Sequence, residues 1–227
     1  MTVLLPLILP LVIGYVMYRF SAWQTAQHLD SASTPLRDPG LTPVMDRMAQ
    51  ALELPKITVH IYDVEPVNGL AAPDGRVFLT RGFIDRYRQG IVTAEEIASV
   101  VAHELGHVAL GHTKRRVLDM TGQRAVAMLL ATVLSRVIPV IGIFIAQYLT
   151  SALGAGLSRK DEYEADAYAS ALLVKSGIGT HAQKSLFHKL DKLTGVGGAN
   201  TPQWLRSHPK TADRIAAIEA REARWGV

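Results

Sequence analysis

The 227-residue chain has no cysteine. Disulfides and thiolate metal ligands are therefore excluded, while the compartment stays open, because a cytosolic protein needs no cysteine and a periplasmic one can do without. A dominant charge is also missing: 24 Lys and Arg stand against 20 Asp and Glu, a formal charge of +4. There is no interleaving of basic and aromatic residues, no nucleic-acid motif and no internal repeat. Nucleic acid is thus set aside as a partner, and the small basic excess suits a membrane surface better.

What is present is concentrated in three short strings: His103-Glu104-Leu105-Gly106-His107, Ser158-Arg159-Lys160-Asp161-Glu162-Tyr163-Glu164-Ala165-Asp166, and Ser207-His208-Pro209. Residues four apart on a helix share a face, so His103 and His107 can aim both imidazoles at one metal ion, with Glu104 beside them as a general base. The frame of Ile97 to Ala102 and Val108 to Leu110 is apolar and implies a buried helix rather than exposed histidines. Buried imidazoles and a buried carboxylate need partners, and a metal is one.

A catalytic zinc takes three protein ligands and keeps one position open, so a third ligand is required. Asp161 to Lys175 has helical composition and sets Glu162 and Asp166 four residues apart on one face. Glu162 is expected as the third ligand. Asp166, one turn on, can accept the outward N–H of a ligating imidazole and fix its orientation. Glu164 lies about 200° from Glu162 around the helix and reads as a solvated charge. His112, His181 and His188 show no constellation and read as structural or solvated.

His-Glu-x-x-His followed by Ser-Arg-x-x-Glu-x-x-Ala-Asp resembles the HtpX-like membrane-associated zinc metallopeptidases, a gluzincin-type group that includes the CAAX prenyl endopeptidases. The likeness runs over roughly residues 41–220. It takes in Asn68-Gly69-Leu70-Ala71-Ala72-Pro73-Asp74-Gly75 and the Ser207-His208-Pro209 string followed by Arg214-Ile215. Gly69 stands where an alanine is usual and Asp74 where a glycine is usual. The resemblance implies one Zn2+ held by His103, His107 and Glu162, with Glu104 as base and Asp166 supporting a ligand. It further implies Asn68 as a donor to the substrate backbone and His208 near the metal. His208 then either stabilises the oxyanion or occupies the fourth metal position. The expected mechanism is attack of a water on a peptide carbonyl, with Glu104 taking the proton and returning it to the leaving amine.

Val77, Phe78 and Leu79 have strand composition after the Pro73-Asp74-Gly75 turn. They are expected to form an edge strand that holds an extended peptide by main-chain hydrogen bonds.

Two apolar runs bear on the membrane. Val3 to Tyr18 is uncharged and ends at Arg19, which favours an uncleaved anchor over a signal peptide, since no basic residue precedes it. Ala125 to Leu157 carries only Arg136. Because His107 and Glu162 must meet, this segment has to return to the side it left, and it is shorter than two crossings of about 20 residues each. A re-entrant or in-plane helical insert is expected. Its flanks, Lys114, Arg115, Arg116, Arg159 and Lys160, are basic, as is Arg19, which places the site on the cytosolic side, for instance of a bacterial inner membrane.

The expected organisation is an anchor at 1–20, a linker at 21–40 and a catalytic domain at 41–227 that includes the insert 125–157. The expected fold is α+β and mainly helical: a zincin-like domain with a small sheet, the histidine-bearing helix and the hydrophobic helical insert. The function expected is a membrane-associated zinc metalloendopeptidase acting on peptides or membrane proteins in quality control. A non-proteolytic membrane adaptor with structural zinc is the first alternative, and Glu104 argues against it. A soluble or periplasmic peptidase with a cleaved leader is the second.

Overall fold

The computed structural model describes residues 15, 19–20, 23–24, 26–72, 74–112, 138, 141–193 and 211–227, with only the backbone described over most of 141–157 and at 191–193. The chain divides into two units, one of residues Met1–Ser31 with Thr113–Leu157 and one of Ala32–His112 with Ser158–Val227. The expected anchor lies outside the described residues except for Tyr15, Arg19 and Phe20, as do Pro73, most of 125–140 and His208. Among the described residues no helix is long and apolar enough to cross a membrane.

The second unit is mainly helical with a mixed four-stranded sheet. Its strands are β1 (Ser33–Pro35), β2 (Val59–Tyr62), β3 (Gly69–Ala71) and β4 (Val77–Thr80), in the order β1-β2-β4-β3. β2 and β4 run parallel, with Val59 opposite Val77 and Tyr62 opposite Thr80. β1 pairs antiparallel with β2, and β3 antiparallel with β4, with Gly69 opposite Leu79.

This order corrects the expectation for Val77, Phe78 and Leu79. β4 is hydrogen-bonded on both sides and all four of its residues are buried, so it offers no free edge. The physical reason is in the composition: an unbroken apolar run suits a strand covered on both faces, whereas a half-solvated edge strand alternates. Among the described residues the edges of the sheet are β1 and β3, and β3 is the one beside β4. The segment expected as a linker also differs, because Ser33–Pro35 joins the sheet as β1.

The helices whose bounds fall among the described residues are, in chain order, α1 (Thr42–Ala51), α2 (Arg81–Arg88), α3 (Ala94–Ala109), α4 (Ile141–Lys175), α5 (His181–Leu193) and α6 (Thr211–Trp225). α3 begins with a capping box: Glu96 N donates to Thr93 Oγ1 at 3.2 Å and Thr93 N donates to Glu96 Oε2 at 2.9 Å. Glu96, buried, also accepts from Ser185 Oγ at 2.7 Å and Lys189 Nζ at 2.8 Å, which ties the start of α3 to α5. The helix stops at Leu110, where Gly111 turns with φ +69°. Ile97, Ala98, Val101 and Ala102 of α3 face the core with Met48 of α1, Leu173 of α4 and Leu186 of α5.

Where the sequence suggests a helical insert ending at Leu157 and a separate helix from Asp161, α4 runs unbroken from Ile141 to Lys175. No proline interrupts it, and Gly154 and Gly156 weaken a helix by only about 1 kcal/mol each.

Candidate metal centre

α3 and α4 pack closely at Gly106. A Cβ there would lie 3.1 Å from both the Cα and the carbonyl oxygen of Ala165 and 3.2 Å from Tyr168 Cβ, so only glycine permits this approach without displacement. The approach brings Glu162 of α4 against the two histidines of α3. His103 Nε2 lies 3.3 Å from Glu162 Oε2, His107 Nε2 lies 3.5 Å from Glu162 Oε1, and the two Nε2 atoms are 3.1 Å apart. All three side chains are buried, Glu162 completely. Donor atoms of the three lie within 4.8 Å of one another and could hold a metal ion. Two imidazole nitrogens and a carboxylate around one point suit a borderline divalent cation that keeps one position open.

The outward faces of the rings are held as well. His103 Nδ1–H donates to Asp166 Oδ1 at 2.9 Å, and Asp166 in turn accepts from Arg214 Nε and Nη2, each at 2.7 Å. Arg214 is buried and stacks its guanidinium 4.2 Å above the centre of the Phe187 ring. Burial penalises a charged Asp166, yet the attraction of Arg214 and its hydrogen bonds hold the carboxyl well below the usual carboxylate range. Burial likewise opposes a charged His103. Its hydrogen bonds to Asp166 and Glu162 outweigh that and raise it to about 9, so a cation taking Nε2 must displace a proton.

Glu104 is buried on the same helix, and its carboxylate lies against the edge strand. A Cβ on Gly69 would sit 3.4 Å from Glu104 Oε1 and 2.7 Å from Val100 Cγ1. Glu104, His103, Gly69 and Asn68 line one pocket together with Phe83, Leu186 and Phe187. Asn68 is fixed through its main chain, its N–H donating to Thr80 Oγ1 at 2.9 Å. Thus the structure brings His103, Glu104, His107, Glu162, Asp166 and Asn68 together, sets Val77, Phe78 and Leu79 in the sheet interior, and leaves His208 outside the described residues.

Several participants escaped the sequence reading. Arg214 was visible only as part of a string near the C-terminus, and nothing in its spacing shows that it closes on Asp166. Gly106 read as a spacer between the histidines. His112, expected to be structural or solvated, is buried with its Nδ1 3.0 Å from His107 Nδ1. Glu164, expected to be solvated, lies 3.0 Å from His112 Nε2. The available signal was the Gly111-His112 pair, since glycine at a helix end turns the next side chain back.

A mainly helical unit with a small mixed sheet and a buried His, His, Glu donor set is compatible with a metallopeptidase domain. The family model described as Peptidase family M48 matches residues 35–222. Over 217 residues the chain is 27% identical to the metalloprotease LoiP of Escherichia coli (strain K12), covering 90% of this chain and 80% of LoiP. It is 30% identical over 173 residues to the metalloprotease YcaL of the same strain, covering 74% of this chain and 63% of YcaL. To the human mitochondrial metalloendopeptidase OMA1 it is 23% identical over 173 residues, covering 71% of this chain and 31% of OMA1. The chain therefore spans most of LoiP but less than two thirds of YcaL and OMA1. This protein belongs to peptidase family M48 and is a metalloendopeptidase. The family implies a metal ion, and the buried donor set fits one.

Proposed function

We propose that this protein is a zinc endopeptidase of membrane surroundings, with one Zn2+ held by His103, His107 and Glu162 and with Glu104 as general base. The observation that carries the reading is the convergence of both imidazoles on the Glu162 carboxylate, with Glu104 on the same helix facing the pocket. When bound, the ion acidifies a water and polarises a carbonyl oxygen. Glu104 takes the proton of the attacking water and hands it to the leaving amine. Asp166 and Arg214 hold the His103 ring so that Nε2 faces inward.

The substrate lies along β3. This edge strand passes over α3 beside Glu104, so its free side can take an extended peptide by main-chain hydrogen bonds, with Asn68 adding a side-chain amide. Recognition of backbone rather than side chains admits many sequences, as quality control of membrane proteins requires. His208 donates to the oxyanion in this reading, on the strength of its place in the Ser207-His208-Pro209 string. Anchoring through residues 1–20 and a cytosolic catalytic domain are supported by the uncharged Val3–Tyr18 run and by the basic residues that flank both apolar segments. Protease accessibility in inside-out against right-side-out vesicles tests the orientation.

The decisive experiment is Glu104→Gln. This variant binds Zn2+ as the wild type does and cleaves no peptide; substantial cleavage by it would remove Glu104 from the role of base.

A further inference from the structure

We propose that His112 is a positioning residue for His107, setting that ring's orientation and tautomer through a hydrogen-bond chain anchored on α4. The proposal rests on the reading of His107 as a metal ligand. His107 presents Nε2 to His103 and Glu162 and turns Nδ1 toward His112 Nδ1, 3.0 Å away. The other nitrogen of His112 faces Glu164 Oε2 at 3.0 Å, with Asp161 Oδ1 at 4.0 Å. His112 is only 1% exposed, so its ring is confined to this arrangement.

The direction of the chain follows from what each group can do. An ionised carboxylate only accepts, so the proton of a neutral His112 sits on Nε2 and points at Glu164. Its Nδ1 is then an acceptor, which requires the N–H of His107 to be on Nδ1. That leaves the lone pair of His107 Nε2 directed at the metal position, as a ligand must have it. His103 obtains the same result by a direct bond to Asp166. Both devices root in α4, on residues two and four positions after Glu162, so one helix supplies a ligand and the anchors of the other two.

The backbone makes this possible at Gly111. In a helix continued past Leu110, residue 112 would point about 140° away from residue 107. With φ at +69°, Gly111 ends the helix and returns the His112 ring beside His107.

The same logic bears on His112, Asp161 and Glu164, whose donor atoms also lie close enough together to hold an ion. A cation on His112 Nε2 would put the proton on Nδ1, directly against the N–H of His107. Occupancy of the first site thus disfavours the second, and the chain takes up one ion.

The test uses the full chain stripped of metal and titrated with Zn2+ against a chromogenic chelator. His112→Phe, which keeps the ring volume and loses the acceptor, binds Zn2+ about 10- to 100-fold more weakly than wild type. His112→Asn, whose Oδ1 stands close to the former Nδ1, recovers most of that loss. In the zinc-loaded wild type, long-range ¹⁵N–¹H correlation finds His112 protonated on Nε2, a readout independent of any variant's folding. The proposal is overturned by wild-type affinity in His112→Phe, by an Nδ1–H tautomer, or by a second Zn2+ held through His112. His107→Ala separates the two levels: if it binds Zn2+ like wild type, the reading of the site itself has failed and this inference falls with it.

Discussion

Replacing Gly106 by alanine adds one methyl at a close approach of α3 and α4, where two of its three nearest neighbours are backbone atoms of Ala165 at 3.1 Å. Backbone cannot rotate away, so restoring ordinary contact requires the helices to part by about 0.3–0.5 Å. Alanine in a helix interior is worth about 1 kcal/mol over glycine. Overpacking costs about 1–3 kcal/mol. The net is a loss of between about 0 and 2 kcal/mol, or up to about 8 °C in Tm for a chain of this size. The effect on metal uptake is clearer than the effect on stability. Glu162 rides on the helix that is pushed back, and metal–ligand distances tolerate only about 0.2 Å. Zn2+ affinity therefore falls about tenfold or more. Thermal melts of the metal-free and zinc-saturated chains, together with chelator competition, measure both. A variant that melts higher than wild type by the propensity gain and binds Zn2+ undiminished would refute the argument that only glycine permits this approach.

Arg214→Met leaves Asp166 buried without its bidentate partner, a loss of about 3–5 kcal/mol by denaturant unfolding; Arg214→Lys, lacking the planar fork, restores only part of it. His103 gives a pH dependence. Its folded pKa, about 9, is above its ordinary value, so its contribution to the metal-free chain is full below pH 6.5 and is lost as pH rises through about 9. For the same reason Zn2+ uptake at pH 7 releases about one proton from this ring, measurable by titration calorimetry in buffers of different ionisation enthalpy. Uptake without proton release would contradict that assignment.

Helical periodicity made the heart of the site legible. Four-residue spacings set His103 with His107 and Glu162 with Asp166, and each pair shares a face whatever the rest of the fold does. What periodicity cannot state is which neighbour lies on the other faces. Glu164 was correctly separated from the side of Glu162, but the element it meets, the turn carrying His112, lies across the α3–α4 packing and could not be inferred from α4 alone. Arg214 is a long-range closure of the same kind, 48 residues from Asp166. The interior place of β4 shows only in its lack of polar alternation, which strand composition alone does not register. A helical insert up to Leu157 and a helix from Asp161 are both legible, but their continuity as one α4 is not, because the acidic string at Asp161 resembles the first turn of a new helix.

The fixed start of α3 has one more consequence. Its first turn is stapled to α5 through Glu96, Ser185 and Lys189, and its last turn is closed by Gly111, so the rungs that carry the histidines are braced from above and below by ordinary protein contacts. An ion arriving there finds a socket already cut. Chelation should thus silence the enzyme while its circular dichroism stays unchanged, and returning the ion should revive it without a refolding lag, the behaviour of a tool held in a vice rather than of a keystone in an arch.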